Sequence, residues 1–448
     1  MSTPATKKAS SNRLALQMVI ALAAGIVVGL ILMAIRENVD PAVWGTINNI
    51  FFQDITAAGA ESAIGLFYIG GQLFVRSLQL IIVPMIYTSI AMAIGTISDA
   101  RTLGRISSKT LLFFLMTPCG GLIVAALVGI LVYNLGLFST NLEGLTAGTG
   151  STGSNPLNVI LNIIPSNIGT TFSSNSSVLA VVFLAVVTGL SMNKLGYEKT
   201  ATMRKLLQEV NDIVTTFLNF VVTKFAPAAI FMLITRTFAT YGIDYLKPAA
   251  VYMIVTTVLL LLYLFVAYPI YLWLFTRLNP ITYLKKVMSV ILFGFSTSSS
   301  AATLPLNYDT CVKKLGVDKK VASFVLPLGM TVNMDGTAIM QVIATLFIAG
   351  CAGYEVTLGS LIAIGLLALV ASVGTPAAPG AGAVILFTIL SGVGFTGDAA
   401  LMAYSLILAI NRPIEMLVTS LNCVGDSTTA LYVAKIEKLL NEKVFNEK

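Results

Sequence analysis

Runs of apolar residues long enough to cross a bilayer recur along this chain, and a helical membrane protein is the fold that absorbs them. They fall at Arg13–Arg36, Ala63–Ile97, Ser107–Phe138, Ile213–Tyr241 and Tyr245–Phe275, with a shorter fourth run at Val178–Met192. About 20 helical residues cross the hydrocarbon core with every internal backbone hydrogen bond made. Of the 448 residues, 56% are hydrophobic and only 10% are charged. That balance excludes a soluble domain. Several runs exceed what a bilayer needs, which implies tilt. The run Leu14–Ile35 is too long for a signal-peptide core and reads as a retained first helix.

The net charge of +7 is distributed by loop. Lys7, Lys8 and Arg13 precede the first run; Arg101, Arg105 and Lys109 follow the second. Lys194, Lys199, Arg204 and Lys205 follow the fourth, and Arg277, Lys285 and Lys286 the sixth. The intervening loops carry Glu37, Asp40, Asp54, Glu61 and Glu143. Cationic loops stay cytoplasmic, so both termini are expected inside a cell membrane crossed many times. The surplus charge is topological, and nothing suggests a nucleic-acid partner. Cys119, Cys311, Cys351 and Cys423 lack metal-ligand spacing and read as small hydrophobes in helices, and the chain has no histidine. Ser139–Ser177, rich in Ser, Thr, Gly and Asn, reads as an extracellular excursion.

The last third changes character. Tyr283–Phe295 is apolar but too short to cross, and it runs into Ser296-Thr297-Ser298-Ser299-Ser300 and then Ala301–Leu306. This reads as a helix going in, a polar tip and a helix coming back. Lys285, Lys286, Lys313 and Lys314 bracket it on the cytoplasmic side. Val321–Gly350 crosses. Leu358–Val373 then descends from outside to Gly374–Gly382, where Pro and Gly break the helix, and Ala383–Val393 returns. Asp398–Leu440 reads as one final crossing. Non-helical backbone at that depth survives only where protein or a water-filled site covers it. Hairpin, span, hairpin, span, with the hairpins entering from opposite faces, marks an inverted repeat with a midplane site. The expected fold is an all-α integral membrane protein with eight transmembrane helices and two re-entrant helical hairpins, 283–313 and 358–396.

Three polar groups interrupt this apolar frame. Asn333, Met334, Asp335, Gly336 and Thr337 lie in the middle of Phe324–Gly350. A carboxylate and a carboxamide there lose water and gain nothing from lipid, and a cation is the natural partner for clustered oxygens. A bland alternative is a polar pair gluing helices together. The tip Ser298, Ser299 and Ser300 offers hydroxyls and free helix-N-terminal amides, which attract a carboxylate. In the last span Asn411, Glu415, Val418, Thr419, Asn422 and Asp426 recur at helical spacing and share a face. Such a stripe suits cations and a zwitterion.

Ser-Ser-Ser-Ala-Ala-Thr-Leu-Pro at 298–305, Asn-Met-Asp-Gly-Thr at 333–337, Pro-Gly-Ala-Gly at 379–382 and Asn-x-x-Gly-Asp at 422–426 occur in this order. Together they resemble the dicarboxylate/amino acid:cation symporter family, which includes glutamate transporters and neutral amino acid exchangers. The hydropathy fits that resemblance from about residue 13 to residue 440. The resemblance implies a homotrimer working by an elevator mechanism. Residues 13–241 are then mainly scaffold and oligomerisation helices after a cytoplasmic tail 1–12, and the span 107–138 belongs with the transport domain. Residues 242–448 are mainly transport domain, with both hairpins and the spans 319–350 and 398–440. It also implies that the Ser300 backbone and Asn422 hold a substrate α-carboxylate, with Ser298 and Ser299 beside them. Glu415 and Thr419 would take the α-ammonium and Ala378 would offer a carbonyl. Thr337, Gly382 and Val418 would face the substrate side chain. One sodium ion would be bound by the Gly329 carbonyl, Asn333, Asn422 and Asp426. A second would use carbonyls of Thr331, Ser372, Val373 and Thr375, and a third Asp335, Asn333 and Thr117.

Departures from the family pattern refine the substrate. Acidic-substrate members carry arginine at the position of Val418. Without it an ionised side-chain carboxylate lacks its bidentate partner, and burying it unpaired costs on the order of several kcal/mol. A small neutral L-amino acid such as serine, alanine or threonine is therefore expected, with acidic amino acids or C4-dicarboxylates as the alternative. Asn411 replaces a carboxylate, Glu415 is a methylene longer than the usual aspartate, and Phe114 and Pro118 replace polar residues near the third sodium. Arg412 is expected to point away toward a neighbouring span rather than pair with Glu415. A serine hydrolase is disfavoured because the tip lacks a histidine or a suitably placed lysine as base, and a channel because the hairpins close a discrete site.

Overall fold

The computed structural model describes residues 4–447 except 57–58, 96–100, 141–162, 175–176, 243–245, 374 and 376–379. Among the described residues every extended regular element is a helix, and pairing between strands is confined to the isolated antiparallel bridge Val317–Leu440. Ile20–Asn38, Leu66–Met92, Arg105–Asn134, Tyr197–Thr240, Leu246–Thr276 and Lys319–Ala352 are each long and apolar enough to cross a membrane. Ala180–Leu195 is a shorter apolar helix in the fourth expected position. Most of the excursion 139–177 lies outside the described residues; the short helix Ile168–Phe172 within it is capped by Asn167.

Two of the boundaries that differ from the sequence reading shape the fold. The fifth helix starts at Tyr197 rather than Ile213. Its first turns are charged, so an apolar-run criterion passes them over. Yet Thr200, Leu207, Val214 and Leu218 are buried along one stripe, which is enough to dock an amphipathic helix. Arg204 adds a hydrogen bond to the carbonyl of Gly95. The final crossing is not one helix: Asp398–Ile410 and Arg412–Ile436 meet at Asn411 with a 69° bend. Pro413 cannot donate a backbone hydrogen bond, and it sits in the first turn of the second piece. Tyr252 donates to Asn411 Oδ1 at 2.6 Å, holding the corner. Asn411 thus holds the corner and still lines the same cleft as Glu415.

The helices pack in two groups. Pro4–Asn38 lies along Ala226–Tyr241, and Leu66–Gly95 packs on Val178–Leu195 and Tyr197–Phe220. Gly25 and Gly29 allow the first contact. A Cβ at Gly29 would lie 2.6 Å from Phe238 Cβ and one at Gly25 3.0 Å from Ile234 Cβ, the close approach that small residues four apart give membrane helices. The second group surrounds Asp335–Ala352, which touches Arg101–Asn134, Leu246–Leu262 and Arg412–Ile436. Both expected hairpins are present as paired helices, Pro280–Thr297 with Ser300–Asp309 and Leu358–Val373 with Ala381–Val393. The window Lys319–Ala352 is 94% buried, whereas Ile20–Asn38 is 11% buried.

Candidate functional site

The span Lys319–Ala352 is two helices joined at Asn333 and Met334. Lys319–Val332 is capped by Asp318, which accepts from Lys320 N–H at 2.8 Å, and it contains Pro327. Asn333 (φ −89°, ψ 83°) and Met334 (φ −117°, ψ 48°) leave the helical region, and Asp335 starts the next helix. The break frees backbone groups at the centre of the protein, and the last helix fills the gap. Asn333 Nδ2 donates to Asp426 Oδ1 at 3.1 Å. Asn422 Oδ1 accepts the free Gly336 N–H at 2.9 Å, and Asn422 Nδ2 donates to Thr337 Oγ1 at 3.2 Å. Asp335 Oδ2 accepts from the Tyr268 hydroxyl at 2.8 Å, with Thr117 beside the same carboxylate.

Among the described residues, two buried oxygens at this junction have no hydrogen-bond partner: Oδ1 of Asn333 and Oδ1 of Asp335. Among the described residues no lysine or arginine pairs with Asp335 or Asp426. Buried anions and orphaned acceptors without a cationic side chain fit a bound alkali cation. Glycines let the groups converge. A Cβ at Gly425 would sit 2.3 Å from the Tyr268 hydroxyl and 2.6 Å from Asn333 Nδ2, and one at Gly329 2.3 Å from Asp426 Oδ1. Gly425→Ala is therefore expected to push Tyr268 and Asn333 aside. Sodium affinity, read as the sodium concentration needed for half-maximal thermal stabilisation, should weaken about 10- to 100-fold. An unchanged midpoint would place the cation elsewhere.

The serine tip faces the same helix. Ser298 takes a left-handed conformation (φ 48°), which turns the chain back. Ser299 caps the returning helix by accepting from Ala302 N–H at 3.3 Å, and Ser300 is its first residue. Ser298 Oγ is buried without a partner. The hairpin is fixed to the last span by Ser420 Oγ to Ile291 O at 2.8 Å and Asn307 Nδ2 to Cys423 O at 2.9 Å. The tip thus stands against the helical turn that carries Thr419 and Asn422.

The second hairpin supplies less of the expected set. Ala378 lies outside the described residues. Gly382 is in place: its Cβ would lie 3.3 Å from Thr337 Cγ2 and 3.1 Å from Met340 Cε. The carbonyl of Ser372 accepts from Thr375 N–H at 3.0 Å, and the helix ending at Val373 packs against the one carrying Thr331. Glu415 Oε1 accepts from Ala383 N–H at 3.3 Å, an orphan donor of the hairpin's return helix. Thr419 donates to the Glu415 carbonyl at 2.9 Å. Arg412 does not point away: its Nη1 lies 3.9 Å from Glu415 Oε2, and both side chains are 9% exposed. In this apolar setting the guanidinium goes to the one carboxylate within reach, one helical turn on. A narrow cleft opens beside this pair, between Ala383 and Glu415 on one side and Phe74, Leu78 and Ile230 on the other.

Two residues of the site escaped the sequence reading. Tyr268 sits in an apolar span, where a phenol is easily taken for packing. Gln341 donates its Nε2 to the Gly382 carbonyl at 3.1 Å. Its signal is the recurrence Thr337, Gln341, Thr345 at every fourth position of an otherwise apolar helix.

A midplane break, a facing polar stripe and two helical hairpins were also the features behind the motif resemblance. The profile of the sodium:dicarboxylate symporter family matches residues 14–436. The chain belongs to this family. It is a multi-pass membrane transporter of the sodium-dependent amino acid and dicarboxylate class, not an enzyme. This symporter is similar to an excitatory amino acid transporter of Caenorhabditis elegans, 26% identical over 80% of this chain and 79% of the relative. It is also similar to the proton/sodium-glutamate symport protein of Bacillus caldotenax, at 26% over 83% and 88%. The human neutral amino acid transporter B(0) is 29% identical over 84% of the symporter and 75% of its own length. Relatives named for acidic and for neutral substrates thus stand at comparable distance, and the choice falls to the site itself.

Proposed function

We propose that this protein is a sodium-coupled symporter or exchanger of small neutral L-amino acids such as serine, alanine and threonine. The charge balance of the site carries the reading. Its one buried guanidinium, Arg412, lies beside Glu415, and Val418 is a buried apolar residue on the same helix. Among the described residues lining the cleft beside this pair, Arg412 is the one cationic side chain, and it already faces Glu415. Asp335 and Asp426 are compensated when sodium ions bind. The substrate's α-carboxylate then goes to the Ser298–Ser300 tip and Asn422, and its α-ammonium to Glu415 and Thr419. Thr337 and Gly382 flank the side chain. The ions use the oxygens of Gly329, Asn333, Asn422 and Asp426, of Thr331, Ser372, Val373 and Thr375, and of Asp335 and Thr117.

Eight transmembrane helices, cytoplasmic termini, a homotrimer and an elevator movement complete the proposal. Its support is the packing of each hairpin's two helices on each other and on the broken and bent spans. A second reading, an acidic or C4-dicarboxylate substrate, draws on Arg412, whose buried Nε lacks a hydrogen-bond partner. Purified protein should be stabilised by L-serine or L-alanine in sodium and not in choline. Stabilisation by L-aspartate or succinate alone would replace the first reading with the second.

A further inference from the structure

Gln341 is fully buried, and its amide is only half satisfied. Nε2 donates to the carbonyl of Gly382, which fixes which end of the amide is nitrogen. Among the described residues Oε1 has no hydrogen-bond partner, and it is buried. Such an acceptor is costly to leave unmet, and a ligand donor that reaches it gains selectivity over an analogue lacking that donor. Its location narrows the ligand. Gln341 lies one turn beyond Thr337 on the same helix face, and it grips the backbone of Gly382. Gly382 in turn packs on Thr337. These are the two residues assigned to the substrate side chain in the functional reading above, on which this inference rests.

We infer that Gln341 is a specificity-determining residue, and that the open acceptor Oε1 selects neutral amino acids whose side chain carries a hydrogen-bond donor. Thr337 Oγ1, one turn away, is directed to Met334 Sδ and accepts from Asn422, so it does not donate to Oε1. A hydroxyl on the substrate β-carbon completes the amide; a methyl group there leaves it orphaned. Serine is then preferred to alanine, and threonine to 2-aminobutyrate, its isostere without the hydroxyl.

The test measures sodium-dependent binding of L-serine, L-alanine, L-threonine and L-2-aminobutyrate to the purified full-length chain. In the wild type each hydroxylated ligand should bind about tenfold more tightly than its partner. Gln341→Leu removes the acceptor, and both ratios should fall to about one. Any general damage from losing the Gly382 contact weakens both members of a pair and cancels in the ratio. Gln341→Glu retains an acceptor and should keep the preference, which also serves if the leucine variant does not fold. Equal binding of serine and alanine by the wild type would overturn the inference, as a water molecule on Oε1 would then suffice. So would a ratio unchanged in Gln341→Leu. Failure of all four ligands to bind in sodium would overturn the parent reading as well, so the two failures are distinguishable.

Discussion

Asp426→Asn is expected to uncouple substrate binding from sodium. Asp426 is 3% exposed and lies against both Asn333 and the backbone at Gly329. A carboxamide keeps the shape and the hydrogen bond but removes the charge that draws a cation out of water. Coupled sites raise each other's affinity by about 5- to 150-fold. Calorimetry of serine or alanine binding at low and high sodium should show that enhancement in the wild type and a ratio near one in the variant. Because the coupling is reciprocal, amino acid should also cease to sharpen the sodium titration. A variant with full sodium enhancement would show that the cation at this junction is not the one that serves coupling.

The second large effect concerns selectivity. Val418 is 5% exposed, and its backbone lies against Gly336, whose Cβ would be 3.2 Å from Val418 Cα. Val418→Arg inserts a guanidinium at this wall. Unpaired and buried, it should destabilise the apoprotein by about 3–5 kcal/mol. An acidic substrate would supply its partner, and ligand at about 100 times its dissociation constant restores roughly 2.7 kcal/mol. The variant should therefore melt lower than the wild type without ligand and recover with L-aspartate, while L-serine loses its effect. A variant indifferent to L-aspartate would mean that position 418 does not face the substrate.

Much of this architecture is legible in the sequence because lipid punishes polar backbone and side chains so heavily. Asn333 and Asp335 stand out for that reason, and the breaks around Ser298 and Gly380 follow from the same constraint. The charged start of the helix at Tyr197 was hidden, since a docked amphipathic turn needs only an apolar stripe and not an apolar run. The corner at Asn411 was hidden because the polar break Asn411-Arg412-Pro413-Ile414-Glu415 reads equally well as the start of a binding stripe on one continuous helix. Pro413 was the available sign, but a proline in a membrane span marks a first turn, a kink or a bend without saying which. The placement of Arg412 turned on side-chain reach, because the i,i+3 spacing to Glu415 permits a pair without requiring one. Gln341 was passed over because one amide in a long apolar helix looks like interhelical adhesive until its oxygen is found without a neighbour.

The contrast between the 94% burial of Lys319–Ala352 and the 11% burial of Ile20–Asn38 has a consequence for life in a real membrane. In a bilayer the outer helix would be open to acyl chains or to a second copy, while protein of the same chain covers the inner one. Differences in bilayer thickness or sterol content are absorbed first by tilt of peripheral segments such as Ile20–Asn38. The oxygens around Asn333 are insulated from them. Lipid environment should thus govern how fast this carrier turns over, and leave how tightly it grips its cargo almost untouched.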